Sequence, residues 1–105
     1  MSLNMSGKQL AEDLARQLEL SGRMVWTQMP LGSVSFSNAG IVDVLTMSKS
    51  YSYHVCIYEV KVSRADFWGD INRMKYERYR PFCNQLYFAT PTGLVKTEEV
   101  PVGCG

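Results

Sequence analysis

The sequence lacks any apolar run approaching the ~20 residues that a membrane-spanning helix requires. Its first residues also lack the apolar core of a secretory signal peptide. These two absences predict a cytoplasmic protein with no membrane partner. Internal repeats and low-complexity tracts are missing as well. We therefore expect one compact domain over residues 6–105, preceded by a tag-derived or disordered segment at 1–5.

Cysteine and net charge are both low. The three cysteines form no Cys-x-x-Cys pair, and their odd number argues against a disulfide framework. His54 and Cys56 are possible zinc ligands, but two ligands two residues apart are weak evidence for a four-ligand site. The net charge of +1 does not by itself indicate nucleic acid. It fits an ordinary neutral surface, and it also fits a basic surface whose charge is partly cancelled by acidic metal ligands.

Hydrophobic periodicity predicts the element order helix, three strands, helix, strand. The predicted segments are 6–21 and 64–79 for the helices, and 23–29, 41–47, 54–62 and 85–89 for the strands. We expect the first three strands to form a meander. The second helix should then cross over the sheet and make the third and fourth strands parallel. The expected fold class is α/β, with a mixed sheet flanked by helices.

Three charged residues interrupt strands that are otherwise apolar on both faces. Asp43 lies in the middle of the second strand, and Glu59 and Lys61 interrupt the third. Burying a lone carboxylate is costly unless it is paired or bound to a metal. Residues two apart in a strand share a face, so Glu59 and Lys61 lie together and Asp43 joins them if the strands are neighbours. A structural ion pair, or charges at exposed strand ends, would give the same pattern.

Two carboxylates and one main-chain carbonyl form an oxygen site that suits Mg²⁺ or Mn²⁺. We expect Asp43, Glu59 and the carbonyl of Val60 to be the metal ligands. Such an ion lowers the pKa of a bound water and neutralises charge on a phosphate. Lys61 would orient the water or stabilise the developing negative charge.

The segment Ile-Tyr-Glu-Val-Lys-Val-Ser-Arg-Ala-Asp-Phe-Trp, residues 57–68, resembles the third motif of the PD-(D/E)XK nuclease superfamily. More narrowly, it is similar to bacterial and prophage proteins with Glu-Val-Lys-Val-Ser-Arg-x-Asp-Phe, such as the MmcB-like DNA repair proteins. Asp43 matches the upstream acidic strand of those proteins. Residues 79–91 match their second-helix exit and fourth strand, and residues 100–105 their C-terminal turn. The resemblance covers about half of the chain, from Ile41 onward.

This resemblance implies a restriction-endonuclease-like fold that hydrolyses DNA phosphodiester bonds in DNA repair or phage DNA processing, with RNA left open. By it, Asp43 and Glu59 are metal ligands and Lys61 is the catalytic lysine. Residue 42 is valine where the superfamily's name has proline. Some relatives continue beyond the final Gly-Cys-Gly, which leaves open a missing terminal strand.

Five further residues are candidates for supporting roles. They are Glu12 as a first-helix acid, Gln28 near a position where some repair relatives carry an acid, Ser63 as a helix cap near the metal, and Lys75 and Tyr79 as phosphate contacts on one helix face.

The second helix is also rich in charge. Asp66 and Asp70 in its first turns are explained by the helix dipole. The basic residues Arg73, Lys75, Arg78 and Arg80 either hold a nucleic-acid backbone or favour the helix C-terminus.

Two other functions remain open. One is a non-catalytic nucleic-acid-binding module that retains the nuclease fold, and the other is an interaction subunit of a repair or phage complex. Small nuclease cores often form homodimers or larger assemblies, so a protein partner is also expected.

Overall fold

The structure, a computed structural model, describes residues 6–31, 40–49 and 54–105. The helices are α1 (Gly7–Leu20) and α2 (Arg64–Arg73), and the strands are β1 (Met24–Leu31), β2 (Gly40–Met47), β3 (Val55–Val60) and β4 (Gln85–Ala89). Short 3-10 helices occupy Lys75–Arg78, Arg80–Phe82 and Thr97–Glu99. The predicted α/β class and element order are confirmed. In the described segments, no helix has the length and apolar character needed to traverse a bilayer.

One prediction, the tag-derived or disordered segment at 1–5, lies outside the described residues.

The four strands form one mixed sheet in the order β1-β2-β3-β4. The pairs β1–β2 and β2–β3 are antiparallel, whereas β3 and β4, which α2 connects, are parallel as expected. The end of the chain adds to the outer side of β4. There the N–H of Gly105 donates to the carbonyl of Leu86 at 2.9 Å, and the N–H of Phe88 donates to the carbonyl of Gly105 at 2.8 Å.

Helix α1 begins at a reciprocal cap. The Oγ of Ser6 accepts the Gln9 N–H at 3.1 Å, and the Gln9 side chain accepts the Ser6 N–H at 3.0 Å. Ala11 and Ala15 are the buried residues of α1, which packs against β1, β2 and β3. Small residues at this spacing let the helix approach the sheet closely, and its charged residues stay in solvent.

The main core cluster joins the sheet to the chain that follows α2. Leu45, Ile57 and Leu86 of three neighbouring strands pack with Tyr76 and Tyr79. Each fully buried aliphatic side chain contributes about 1.5–3 kcal/mol. This cluster fixes the segment after α2 against the sheet, next to the charged residues of β2 and β3.

Helix α2 is shorter than predicted, because it ends at Arg73 and Met74 has left-handed backbone with φ 53°. The Oδ1 of Asp70 accepts the N–H of Tyr76 at 3.0 Å, which satisfies a donor beyond the helix end. As a result Lys75 is exposed, whereas Tyr79 is buried in the core. The prediction that Lys75 and Tyr79 share one helix face is therefore wrong.

The left-handed residue gives a first prediction. Met74→Gly is expected to raise the free energy of unfolding by about 0.5–1 kcal/mol, because glycine adopts this conformation without a Cβ penalty. The Met74 side chain is 56% exposed, so little packing is lost. Urea unfolding measures the difference. Lys75→Gly is the matched control and is expected to destabilise the protein, since no positive φ is found at residue 75. A lower urea midpoint for Met74→Gly would contradict the strain at this residue.

Candidate active site

Asp43 and Glu59 meet where the β2–β3 ladder stops. The last paired residues are Val44 and Tyr58, and the same register places Asp43 opposite Glu59. Instead of further main-chain pairing, side-chain oxygens accept the main-chain donors. Asp43 Oδ2 accepts the Val60 N–H at 2.8 Å, and Glu59 Oε2 accepts the Asp43 N–H at 3.4 Å. This exchange brings both carboxylates to one place, as the sequence predicted for neighbouring strands.

The pairing is also irregular on the β1 side of Asp43. The flanking pairs, Thr27 with Val44 and Met29 with Val42, place Gln28 across from Asp43. Gln28 has left-handed backbone with φ 52°. For a residue with a side chain this conformation costs roughly 1–2 kcal/mol. The main chain of Gln28 therefore lies next to the site, although its side chain is largely exposed.

The carboxyl of Glu59 keeps its proton to a higher pH than an ordinary glutamate does. Glu59 is only 2% exposed, and burial together with the neighbouring Asp43 raises the pKa of Glu59 to about 8. Lys61 acts in the opposite direction, but its effect is smaller. The metal-free pair therefore holds a proton at neutral pH. A divalent cation that binds here has to displace this proton, because metal ligands must be deprotonated.

The phenol of Tyr79 lies close to this pair. Tyr79 is fully buried, and in the described part of the chain its hydroxyl has no hydrogen-bond partner. Burial, reinforced by the charges of Glu59, Asp70 and Asp43, raises the pKa of Tyr79 to about 12. The hydroxyl is consequently a permanent donor. A buried donor without a partner beside two carboxylates fits a site that receives a polar ligand.

Lys61 is bound to an acid that the sequence interpretation had assigned to the helix dipole. Its Nζ is 2.9 Å from Oδ2 of Asp70, and the two side chains are 13% and 1% exposed. Asp70 lies three residues after the buried Phe67, on the inner face of α2. A carboxylate on that apolar stripe was the available signal, and it was missed. Asp70 therefore holds the amine of Lys61 in place at the end of β3.

Two of the supporting candidates, Ser63 and Glu12, make no described contact with the carboxylate pair. The Oγ of Ser63 accepts the Asp66 N–H at 3.1 Å and caps α2. Glu12 is exposed on α1. No hydrogen bond or ion pair between described residues links either of them to the carboxylate pair.

The carboxylate pair fits Mg²⁺ or Mn²⁺ better than zinc. Across residues 6–31, 40–49 and 54–105, acidic, His and Cys side chains do not gather in groups of three. Mg²⁺ typically uses one or two carboxylates and keeps several waters, so Asp43 and Glu59 are the side chains that could hold it. A strand residue directs its N–H and C=O to the same side, so the carbonyl of Val60 is expected to face Asp43. His54 and Cys56 are 3.5 Å apart, but gain no third described ligand.

A cavity of about 250 Å³ opens beside Lys61 and runs along α2. Its wall includes Asp70, Arg73 and Lys75. The predicted phosphate contact Lys75 is thus placed on the same cavity as the amine of Lys61, whereas Tyr79 belongs to the core.

Comparison with known proteins supports the fold. No protein-family model matches the chain, and no curated protein matches it significantly. Among solved structures it is similar to the SPO1766 protein of unknown function from Silicibacter pomeroyi, with a TM-score of 0.72 and 25% sequence identity. The match covers 98% of this chain, which spans 64% of that protein's length. Since that protein's function is unknown, the likeness carries no activity.

Proposed function

We propose that this chain is a Mg²⁺- or Mn²⁺-dependent nuclease that hydrolyses DNA phosphodiester bonds. One observation carries the proposal: two carboxylates, Asp43 and Glu59, meet at an interruption of the sheet, and the half-buried Lys61 follows two residues after Glu59. Burying two neighbouring carboxyl groups lowers the stability of the fold, so stability does not explain the arrangement. It becomes useful when a cation and a phosphate occupy it.

The residues divide the work as follows. Asp43 and Glu59, with the carbonyl of Val60, would hold the ion. When bound, the ion supplies an acidified water and neutralises charge on the phosphate. Glu59 gives up its proton on loading. Lys61, fixed by Asp70, presents positive charge where negative charge develops during hydrolysis, or orients the attacking water.

The choice of DNA, and of repair or phage DNA processing, comes from the resemblance of residues 57–68 to MmcB-like proteins. Neither the carboxylate pair nor the cavity discriminates DNA from RNA. A homodimer, or a place in a larger repair or phage complex, is part of the same proposal and has the same basis.

A specific observation favours a second function, a nucleic-acid-binding module without catalysis. The amine of Lys61 is already bound to Asp70 at 2.9 Å. In addition, the described residues do not add a third acidic, His or Cys ligand to Asp43 and Glu59. In such a module the acid–lysine cluster would shape the surface, and DNA would bind without being cut.

The deciding experiment is cleavage of labelled linear, nicked, flapped and branched DNAs, and of RNA, with Mg²⁺ or Mn²⁺ and with a chelator. We expect cutting that disappears when the metal is removed. Asp43→Asn is the matched variant, because its amide oxygen still accepts the Val60 N–H. Calorimetry should show divalent binding by the wild type and none by this variant. Metal-independent DNA binding without cutting would support the binding module, and absence of metal binding would rule out the nuclease proposal.

A further inference from the structure

We propose that the cavity along α2 binds the phosphodiester group next to the one that reacts, through Arg73 and Lys75. The identity of the ligand rests on the proposed nuclease function. Arg73 and Lys75 lie outside the carboxylate pair, and their role would be to bind the nucleic-acid strand.

The break in α2 builds this cavity. Arg73 and Lys75 both line it. In a continuous helix, a step of two residues is a rotation of about 200° around the helix axis, so the two side chains lie on nearly opposite sides and do not share a cavity. The left-handed Met74 ends the helix between them and turns Lys75 back to the wall that Arg73 already occupies. The strained conformation of Met74 thus places two cationic side chains on one concave surface.

The charge of the wall favours an anion. Asp70 is bound to Lys61, so its charge is offset. Arg73 and Lys75 are exposed, and in the described part of the chain neither has an acidic side chain within ion-pair distance. Asp66, also on the wall, is exposed at the start of α2. Two cations without partners therefore face one exposed acid. Their donors suit phosphate oxygens.

The remaining wall indicates contact with the backbone of the nucleic acid. Gly69 lines the cavity, and a Cβ added there would meet no atom within 4 Å, so the main chain leaves open space. Among the described residues, no aromatic side chain lines this wall, so it offers no described ring on which a base could stack. Contacts to phosphate position a strand without reading its sequence. Lys61 belongs both to this wall and to the proposed reaction centre, so the cavity adjoins that centre at this residue.

The test measures binding alone, by fluorescence anisotropy of labelled single-stranded and duplex DNA in chelator, where no cleavage occurs. Arg73→Ala and Lys75→Ala are each expected to weaken binding about tenfold and to lower the salt slope of the affinity by about 1. Lys8→Ala and Arg16→Ala are matched controls: each removes an exposed cation from α1, and neither should change the affinity.

A gain of charge provides an independent variant. Gly69→Glu extends a carboxylate into the open space of the wall and should weaken DNA binding at least as much as Arg73→Ala, while the improved helix propensity protects the fold. Wild-type affinity in Arg73→Ala and Gly69→Glu would overturn the proposal even if the protein cleaves DNA. Loss of affinity in these variants would uphold phosphodiester binding by Arg73 and Lys75 even if no substrate is cut, and the proposed nuclease function would then fail by itself.

Inorganic phosphate separates the two sources of the same chemistry. A phosphodiester site should bind DNA with the Arg73 dependence described above, with phosphate acting only as a weak competitor. If phosphate alone binds in an Arg73-dependent manner and the wild type binds neither single-stranded nor duplex DNA, the cavity takes a free phosphate and the proposal is overturned.

Discussion

Lys61→Ala is expected to reduce metal-dependent cleavage by a factor of about 10² to 10³, the usual result of removing one group that stabilises transition-state charge. It should also lower the free energy of unfolding by roughly 3–5 kcal/mol. The second effect arises because, among the described residues, Oδ2 of Asp70 has no hydrogen-bond partner apart from its ion pair with Lys61. Cleavage kinetics and urea unfolding measure the two effects separately.

A double variant separates lost chemistry from lost stability. Lys61→Met with Asp70→Asn removes both charges at nearly constant volume, and the Asn oxygen still accepts the Tyr76 N–H. We expect stability close to the wild type and cleavage as low as in Lys61→Ala. If the double variant cuts DNA at the wild-type rate, the lysine takes no part in the chemistry and its role is structural.

Glu59→Gln is expected to stabilise the metal-free protein at alkaline pH. Glutamine keeps the shape of the side chain but has no proton to lose. The pKa of Glu59 lies at about 8 in the folded protein against an ordinary 4.5, and each tenfold change in a protonation equilibrium is worth about 1.4 kcal/mol. Above pH 8 the free energy of unfolding of the variant should therefore exceed that of the wild type by on the order of 3–5 kcal/mol. This difference is a large part of the stability of a small domain.

The direction of the pH dependence follows from the raised pKa. Since the folded state holds the proton more tightly than the unfolded state, the stabilising contribution of Glu59 is complete below about pH 4.5 and is lost as the pH rises through about 8. Among the described residues, three groups act on or near Glu59: Asp43 across the strands, Lys61 directly after the end of β3, and the Tyr79 hydroxyl. Tyr79 stays neutral over this range. Urea unfolding in chelator at about pH 5 and about pH 9 should show a much larger gap in stability between the two proteins at the higher pH.

Divalent metal should reverse that comparison. Mg²⁺ or Mn²⁺ binds the folded wild type and raises its stability by mass action, whereas Glu59→Gln has lost one anionic ligand and should gain little. If both proteins gain equally from the metal at about pH 9, the ion binds elsewhere and Glu59 is buried for another reason.

The fold was predictable because each element carries its own period. Leu10, Leu14 and Leu18 recur at helical spacing, and the apolar runs around Asp43 and Glu59 mark buried strands. Two charges inside such strands were enough to place both carboxylates at one position. This part of the site depends only on strand pairing and the side-chain period of two.

The rest of the site depends on tertiary contacts that no local pattern contains. Lys61 pairs with Asp70 only because α2 returns over the end of β3. The early end of α2 was missed because residue 74 is methionine, which gives none of the signals of glycine or proline. What holds that end is the Asp70–Tyr76 hydrogen bond, and the partners are six residues apart.

The irregular backbone of Gln28 also affects how β1 can pair with a strand of another molecule. β1 is an outer strand of the described sheet, and an outer strand offers a template on which another molecule can add. Here the template is poor: Gln28 turns the strand out of its regular extension, and Pro30, two residues on, has no N–H to donate. On the opposite edge, Gly105 already occupies main-chain groups of β4. The distortion that accompanies the carboxylate pair therefore makes the sheet a poor partner for intermolecular growth.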